Sequence, residues 1–451
     1  MNFNSLQNSP QDAIAAIERI EAQAAAFSRS IAREAMVLYA GMNLPSPRAS
    51  ALLSLPLGAM PAMGQGQLRE QPGVQAIAGI EAETEALACA LFRGHWAEVR
   101  LQSCTLANLA VFAAICRPGD RIAITPASAG GHVSHQSRGA PSVAGLKTIE
   151  LPFSVADQCV DDLASAAVIR AQRPRLVMLG ASYVPGDFDF SNIVAAAREV
   201  DALVCYDIAH VAGLVAGGVF ANPLDQGADL ITASTYKSLA GPPGGLIIGT
   251  DRIADVQACV RRAAFPQMTA NYDAARVAAL GVSLGEALQH SAAYAQACLA
   301  NARSFHQALE RRGISAVSSR THHVVIPIHD ADACAHALVE CGVICGSIAV
   351  AGQAWPRGLR IGTQYLTRRG FVQADMEPIA ALFARALNLV RPAQGSSKSE
   401  MPPDDVVARP DHIEETLRVK RADAPWDTAE KLHAEIAAFM RSRHSLSYWA
   451  S

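Results

Sequence analysis

From about residue 74 to residue 285 the chain repeats one pattern: a short apolar run, a polar loop, a helical stretch, then another apolar run. Strands are expected at 98–102, 121–125, 176–180, 203–207, 229–233 and 246–249, with helices such as 105–116 and 190–200 between them. Parallel strands need long crossovers, and helical crossovers cover both faces of the sheet, so the strands read as unbroken apolar runs. The pattern predicts an α/β fold whose large domain holds a mixed, mostly parallel sheet. Ligands of such sheets bind outside the carboxyl ends of the strands. Polar residues at those ends are therefore the candidates for chemistry.

The flanks divide the rest of the chain. Ile14, Ile17, Ile20, Ala24, Phe27 and Ile31 recur at helical spacing after the start signal Ser9-Pro10. Residues 1–40 are thus expected to form an N-terminal helical arm, packed on a partner subunit or on its own domain. Residues 41–285 would be the large domain, with a charge-poor, Gly-, Pro- and Met-rich loop at 51–73. A helical run over 272–312 links it to a small α/β domain at 286–391. That domain has apolar runs at 324–328, 343–348 and 359–363 and helices at 333–341 and 374–391. Ser, Pro and charge at 392–411 read as a linker. The tail to residue 451 has one more helix, with Asp427 and Glu430 placed as a capping box and Leu432, Ile436 and Phe439 on one face.

Composition excludes several classes. A net charge of -3 leaves no basic surplus for nucleic acid, and no basic amphipathic run points to a membrane surface. No run approaches the roughly 18 apolar residues of a membrane span. The N-terminus shows neither a signal nor a transit pattern. The ten cysteines are scattered through apolar segments, and Cys341 and Cys345, four apart, lack further metal ligands nearby. A cytoplasmic protein with reduced, mostly buried thiols is expected.

Six features carry chemistry. Lys237 stands between an apolar strand and the turn Gly241-Pro-Pro-Gly-Gly245. A partly buried amine has a lowered pKa and attacks carbonyls, as Schiff-base lysines do, whereas a solvated lysine at this place would do nothing. Asp207 ends the strand Leu203-Val-Cys-Tyr-Asp, with His210 three residues on. A buried carboxylate needs a cation or donors, and a protonated pyridine nitrogen is one such cation; a helix cap is the plainer alternative. Too few ligands surround Asp207 and His210 for a metal. Ser103-Cys104-Thr105 opens a helix, as a phosphate cradle or merely as an N-cap. In Gly130-Gly-His132-Val-Ser-His135, two glycines let the backbone approach a ligand that the His132 ring faces; a plain turn reads equally well. Ser182 follows another strand. Arg360, in Gly358-Leu-Arg-Ile-Gly-Thr363, has the fork geometry to clamp a carboxylate, or forms a surface ion pair. Together, in this order, they suit pyridoxal phosphate.

At these residues the chain resembles the serine hydroxymethyltransferase family, of aspartate aminotransferase-like fold type I. The resemblance runs from about residue 36 to 392. Its strongest carriers are Tyr206-Asp-Ile-Ala-His-Val-Ala-Gly-Leu-Val-Ala-Gly-Gly218 and Thr232-Ala-Ser-Thr-Tyr-Lys-Ser-Leu-Ala-Gly-Pro-Pro-Gly-Gly245. Asn43-Leu-Pro-Ser-Pro47, the glycine–histidine motif at 130–135 and Arg360-Ile-Gly-Thr-Gln-Tyr-Leu-Thr-Arg-Arg-Gly370 add to them. The resemblance implies that Lys237 forms the Schiff base with pyridoxal phosphate, His132 stacks on its ring, Asp207 pairs with the ring nitrogen and His210 lies near the phenolic oxygen. It places Ser103, Cys104, Thr105, Ser182 and Tyr236 among the cofactor contacts and Arg360 on the amino-acid carboxylate. It also implies homodimers or tetramers with shared sites.

The departures bear on the reaction. Pro61 and Met63 stand where the family has its Tyr and its proton-handling Glu. Tyr236 replaces the histidine before the lysine, and Pro243 replaces a phosphate-binding Arg. Gln267-Met268 replaces a Gly-Gly turn, and Gln364 replaces a Pro. Changes similar to those at Gln364 and Tyr236 occur in divergent relatives such as threonine transaldolases and α-methylserine hydroxymethyltransferases. The expectation is cleavage or transfer at the Cα–Cβ bond of a β-hydroxy-α-amino acid, with an amino acid and an aldehyde as reactants and tetrahydrofolate left open. Racemisation, decarboxylation or transamination on the same cofactor, and a non-catalytic scaffold, are the alternatives.

Overall fold

The computed structural model describes residues 10–252, 255–317, 319–390 and 426–442. The large sheet has strands β1 (Trp96–Glu98), β2 (Arg121–Ile124), β3 (Lys147–Glu150), β4 (Leu176–Leu179), β5 (Leu203–Asp207), β6 (Leu230–Ser234) and β7 (Gly245–Gly249). Their order is β1-β7-β6-β5-β4-β2-β3. From β6 through β3 all neighbours are parallel, whereas β7 runs antiparallel to both β6 and β1. The mixed, mostly parallel sheet expected from the sequence is therefore present. β3 was not among the expected strands; its residues Lys-Thr-Ile-Glu are exposed at both ends.

The strand period explains why these runs are apolar throughout. Leu176, Met178, Leu203, Cys205 and Ile247 point to one face and join a core with helix α3 (Cys104–Ile115). The alternating residues Val177, Leu179, Val204, Ile231 and Ile248 point to the other and join a core with helix α2 (Gln75–Phe92) and the first half of helix α4 (Ala274–Glu310). Both faces are dry, so the central strands are apolar along most of their length, with polar residues such as Asp207, Thr232 and Ser234 toward their carboxyl ends. Each large apolar side chain contributes about 1.5–3 kcal/mol on burial.

The small sheet is antiparallel, β8 (His323–Pro327), β10 (Arg357–Gly362) and β9 (Gly346–Ala349), with β10 central. Helix α4, 37 residues long, ties the two sheets together. Val277, Leu280 and Leu284 pack in the large-sheet core, and Ala302, Phe305 and Leu309 pack in the small-sheet core.

Two segments join the core beside the small sheet from far away in sequence. Met36–Val37 pairs in parallel with Val343–Ile344, so Met36 and Leu38, expected in the arm, are core residues here. The tail helix, α6 (Trp426–Arg441, after α5 at Met376–Val390), buries Leu432, Ile436 and Met440 in the same core. Phe439, expected on that face, is partly buried against it. The expected linker at 392–411 and Ser9 of the start signal lie outside the described residues, as does the side chain of Asp427. Helix α1 (Pro10–Arg29) leaves Ile14, Ile17, Ile20 and Phe27 55–68% exposed. Among the described residues no helix is long and apolar enough to cross a membrane.

Candidate functional site

The carboxyl ends of β2, β4, β5 and β6 and the N-terminus of α3 meet at one cavity. Its walls include Ser103, Cys104, Thr105, His132, Ser134, His135, Asp207, His210, Tyr236 and Lys237. Gly180 makes the meeting possible: at φ +114° it takes a conformation that L side chains avoid, and a Cβ there would lie 2.3 Å from the Asp207 carbonyl oxygen.

Asp207 is the buried anion of the site. Its Oδ2 accepts from Asn108 Nδ2 at 2.9 Å and lies 3.0 Å from His135 Nε2, while Oδ1 accepts the Ala209 N–H at 2.8 Å. Burial alone would raise its pKa; the His135 hydrogen bond and charge, the Asn108 amide and Lys237 outweigh it and hold the carboxyl well below the usual range. The Cys104 thiol sits 3.5 Å from Asp207 Oδ2, and burial and that carboxylate push it far above the usual thiol range. It stays neutral.

Lys237 is the buried amine. It is 8% exposed, and its Nζ lies 3.1 Å from His210 Nε2. Burial lowers its pKa against the pull of Asp207, so more of it is neutral and nucleophilic than of a solvated lysine. The turn that presents it is tight: Ala240 takes a left-handed φ of +59°, and Gly241 N–H donates to the Thr235 carbonyl at 2.7 Å.

The N-terminus of α3 supplies the third element. Ser103 caps it, its Oγ accepting from Leu106 N–H at 3.2 Å. The first N–H groups of a helix lack intrahelical acceptors and carry the positive end of its dipole, and Cys104 and Thr105 line the cavity there. A carboxylate, an amine, an imidazole face and an anion cradle thus converge on one space. These residues would suit pyridoxal phosphate: the helix end could take a phosphate, the Asp207 carboxylate a protonated ring nitrogen, and the Lys237 amine a carbonyl carbon.

Ser182 and Arg360 lie beside this cavity rather than on its wall. Arg360 Nη1 donates to the Ser182 carbonyl at 2.7 Å, and Ser182 N–H donates to the Gly130 carbonyl at 2.8 Å. The guanidinium stacks over Tyr39 at 5.8 Å and leaves Nε without a protein partner. Burial lowers its pKa, with Tyr39 opposing. Sequence reasoning did not single out Asn108, which also donates to Ser134 Oγ at 3.1 Å and accepts from Thr232 Oγ1 at 2.7 Å. The available signal was an amide in an otherwise apolar helix, Leu106-Ala-Asn-Leu-Ala-Val-Phe112.

Several histidines here are buried and neutral. Burial holds His132 down to about 4, with Asp207 opposing, and His322 down to about 3, with Arg360 adding to it. His210 and His323 lie well below the usual range, first through burial and then through positive or histidine neighbours. The unfolded chain protonates each near pH 6.5 while the folded chain does not, so stability falls as pH drops below about 6.5. Each such histidine costs roughly 1.4 kcal/mol per pH unit until its folded value is reached. The urea midpoint is therefore expected to hold steady above about pH 7.5 and to decline from about 6.5 to 5. A midpoint flat across that window would show these rings to be accessible to protons in the folded chain.

Comparison with known proteins places the chain. The serine hydroxymethyltransferase family profile matches residues 24–383. An α-methylserine aldolase from Variovorax paradoxus is 37% identical over 394 residues, covering 84% of this chain and 88% of its own. A serine hydroxymethyltransferase from Picrophilus torridus is 35% identical over 372 residues, covering 79% and 85%. In fold, the chain is similar to an L-threonine transaldolase from Pseudomonas fluorescens, with TM-score 0.81 and 20% identity over 97% of this chain and 94% of that one.

Proposed function

The chain belongs to the serine hydroxymethyltransferase family, and from that premise we propose that it is a pyridoxal phosphate enzyme that releases or transfers an aldehyde directly from a β-hydroxy-α-amino acid, without tetrahydrofolate. The observation that carries the folate-free reading is Met63. It stands where the family resemblance places a proton-handling glutamate, and a thioether moves no proton. Glu70, whose backbone N–H donates to the Met63 carbonyl, is exposed. The relatives named α-methylserine aldolase support the same reading.

Pyridoxal phosphate, when bound, supplies an electron sink for the electrons of the broken Cα–Cβ bond. The chain's residues do the rest. Lys237 provides the amine that holds the cofactor. Asp207, kept ionised by Asn108 and His135, holds a proton on the ring nitrogen. Ser103, Thr105 and the backbone N–H groups at Cys104 and the start of α3 would hold the phosphate, Tyr236 borders the same space, and His132 would cover the ring. His210 accepts a proton from Lys237 or returns one across their 3.1 Å contact. Arg360 binds the substrate carboxylate, and the Ser182 carbonyl fixes its fork so that the scissile bond is oriented. A cytoplasmic homodimer belongs to this reading, the exposed apolar face of α1 being suited to a second copy.

Purified protein with pyridoxal phosphate and serine, threonine or α-methylserine is expected to release formaldehyde or acetaldehyde with no folate added. Absence of aldehyde from all three, or release only when tetrahydrofolate is present, would refute the proposal.

A further inference from the structure

Near Lys237, buried polar atoms without a protein partner include His210 Nδ1, His323 Nε2 and the Tyr183 hydroxyl; His322, its ring centroid 4.1 Å from that of His323, leaves both its nitrogens so as well. His323 and Tyr183 lie outside the cofactor cavity. The His323 ring centroid is 5.5 Å from that of His210 and 5.9 Å, edge-on, from that of Tyr183. All three residues are at most 5% exposed. A buried polar atom left without a partner is unfavourable, so such a gathering suits an ordered water that completes the bonding.

The hydrogen directions agree with one water. Lys237 Nζ is the natural donor across its contact with His210 Nε2, so that nitrogen accepts, and a neutral imidazole accepting at Nε2 carries its proton on Nδ1. His323 Nδ1 lies 3.3 Å from the Thr321 hydroxyl oxygen and 3.4 Å from the Val184 carbonyl; Thr321 gives its own hydrogen to that carbonyl at 2.7 Å, so both neighbours of Nδ1 are acceptors. The His323 proton is therefore on Nδ1, and its Nε2 is a bare acceptor. A donor on His210 and an acceptor on His323 thus stand unpaired beside each other, with no direct bond between the rings. A water accepting from His210 Nδ1–H and donating to His323 Nε2, with the Tyr183 hydroxyl as third partner, satisfies all three.

We propose that His323 is a positioning residue for the reaction: through one bound water, completed by Tyr183, it holds His210 in the tautomer whose Nε2 faces Lys237, and thereby sets how readily that nitrogen holds a proton. The proposal rests on the reading of Lys237 as the reactive amine. Around Lys237 and His210 the other charged or titratable groups are Asp207, Cys104, His132, His135, Arg360 and His322, and none of them is changed in the test.

Long-range proton–nitrogen spectra of the full chain with nitrogen-15 histidine, loaded with pyridoxal phosphate, read the tautomer directly. His210 is expected to carry its proton on Nδ1 in the parent and to lose that preference in His323→Phe. His323→Gln, which keeps an acceptor, is expected to restore it, and Tyr183→Phe to weaken it. In His323→Phe the pH midpoint of the holoenzyme's visible absorbance is expected to fall by roughly one unit, and to return in His323→Gln. A parent His210 protonated on Nε2, or a His323→Phe protein with the parent tautomer and midpoint, overturns the proposal. Should His323→Phe not fold, the parent spectrum and Tyr183→Phe still decide. Aldehyde release is a separate readout, so the functional reading can fail while the tautomer assignment stands.

Discussion

Replacing Lys237 by alanine is expected to abolish covalent capture of pyridoxal phosphate and to cut aldehyde release roughly a thousandfold or more, the scale on which removal of one member of a catalytic unit acts. After borohydride reduction, the intact mass of the parent should rise by one bound cofactor and that of the variant should not. The fold should persist, because the substitution removes an amine whose burial is itself unfavourable. Its thermal midpoint is expected to stay near the parent's, which separates lost chemistry from lost structure. A Lys237→Ala protein that still gains the cofactor mass would move the reactive amine elsewhere.

Asp207→Ala is expected to damage both stability and turnover. The carboxylate accepts from Asn108 and the Ala209 N–H and pairs with His135, all buried. Alanine strands those partners, a loss of about 3–5 kcal/mol for a broken buried pair. Asp207→Asn keeps the shape and much of the bonding but removes the charge. It should retain most of the stability while losing aldehyde release at least about a hundredfold, because a neutral amide does not hold a proton on the ring nitrogen. Parallel denaturation and turnover measurements on the two variants decide this; equal turnover in Asp207→Asn and parent would remove the charge from the mechanism. The acid dependence has a definite sign. The folded carboxyl titrates below its unfolded value near 3.9, so its contribution is full above that pH and disappears as pH falls through the lower folded value.

Why so much of this site was legible in the sequence is a matter of strand ends. A central strand of a sheet covered on both faces tolerates no charge, so Asp207 at the end of Leu203–Asp207 and Lys237 just past Leu230–Ser234 stand out against apolar runs. The His132 and Ser103 motifs follow from the same logic at neighbouring strand ends. Asn108 was not legible, because its meaning comes from Thr232, Ser134 and Asp207, each contributed by another element. Ser182 contributes a backbone carbonyl to Arg360, and a carbonyl leaves no mark on a sequence. The edge strand Lys147–Glu150 was missed because one side is open to solvent and its ends are charged. Residues 36–38 were assigned to the arm, since pairing with Val343–Ile344 is invisible to local pattern.

That last pairing also orders events in time. The seven strands of the large sheet all lie between Trp96 and Gly249, so their core can form from a continuous middle part of the chain. The small-sheet core cannot: it brings Met36 and Leu38 together with Leu432, Ile436 and Met440. Contacts of such sequence separation form late, because the entropy of closing the loop is lost before the contacts reward it. The core beside the small sheet is complete only once the tail helix has docked. Arg360, the residue that would clamp the substrate carboxylate, sits on that sheet's central strand, so the proposed clamp is supported by packing from segments distant in the chain.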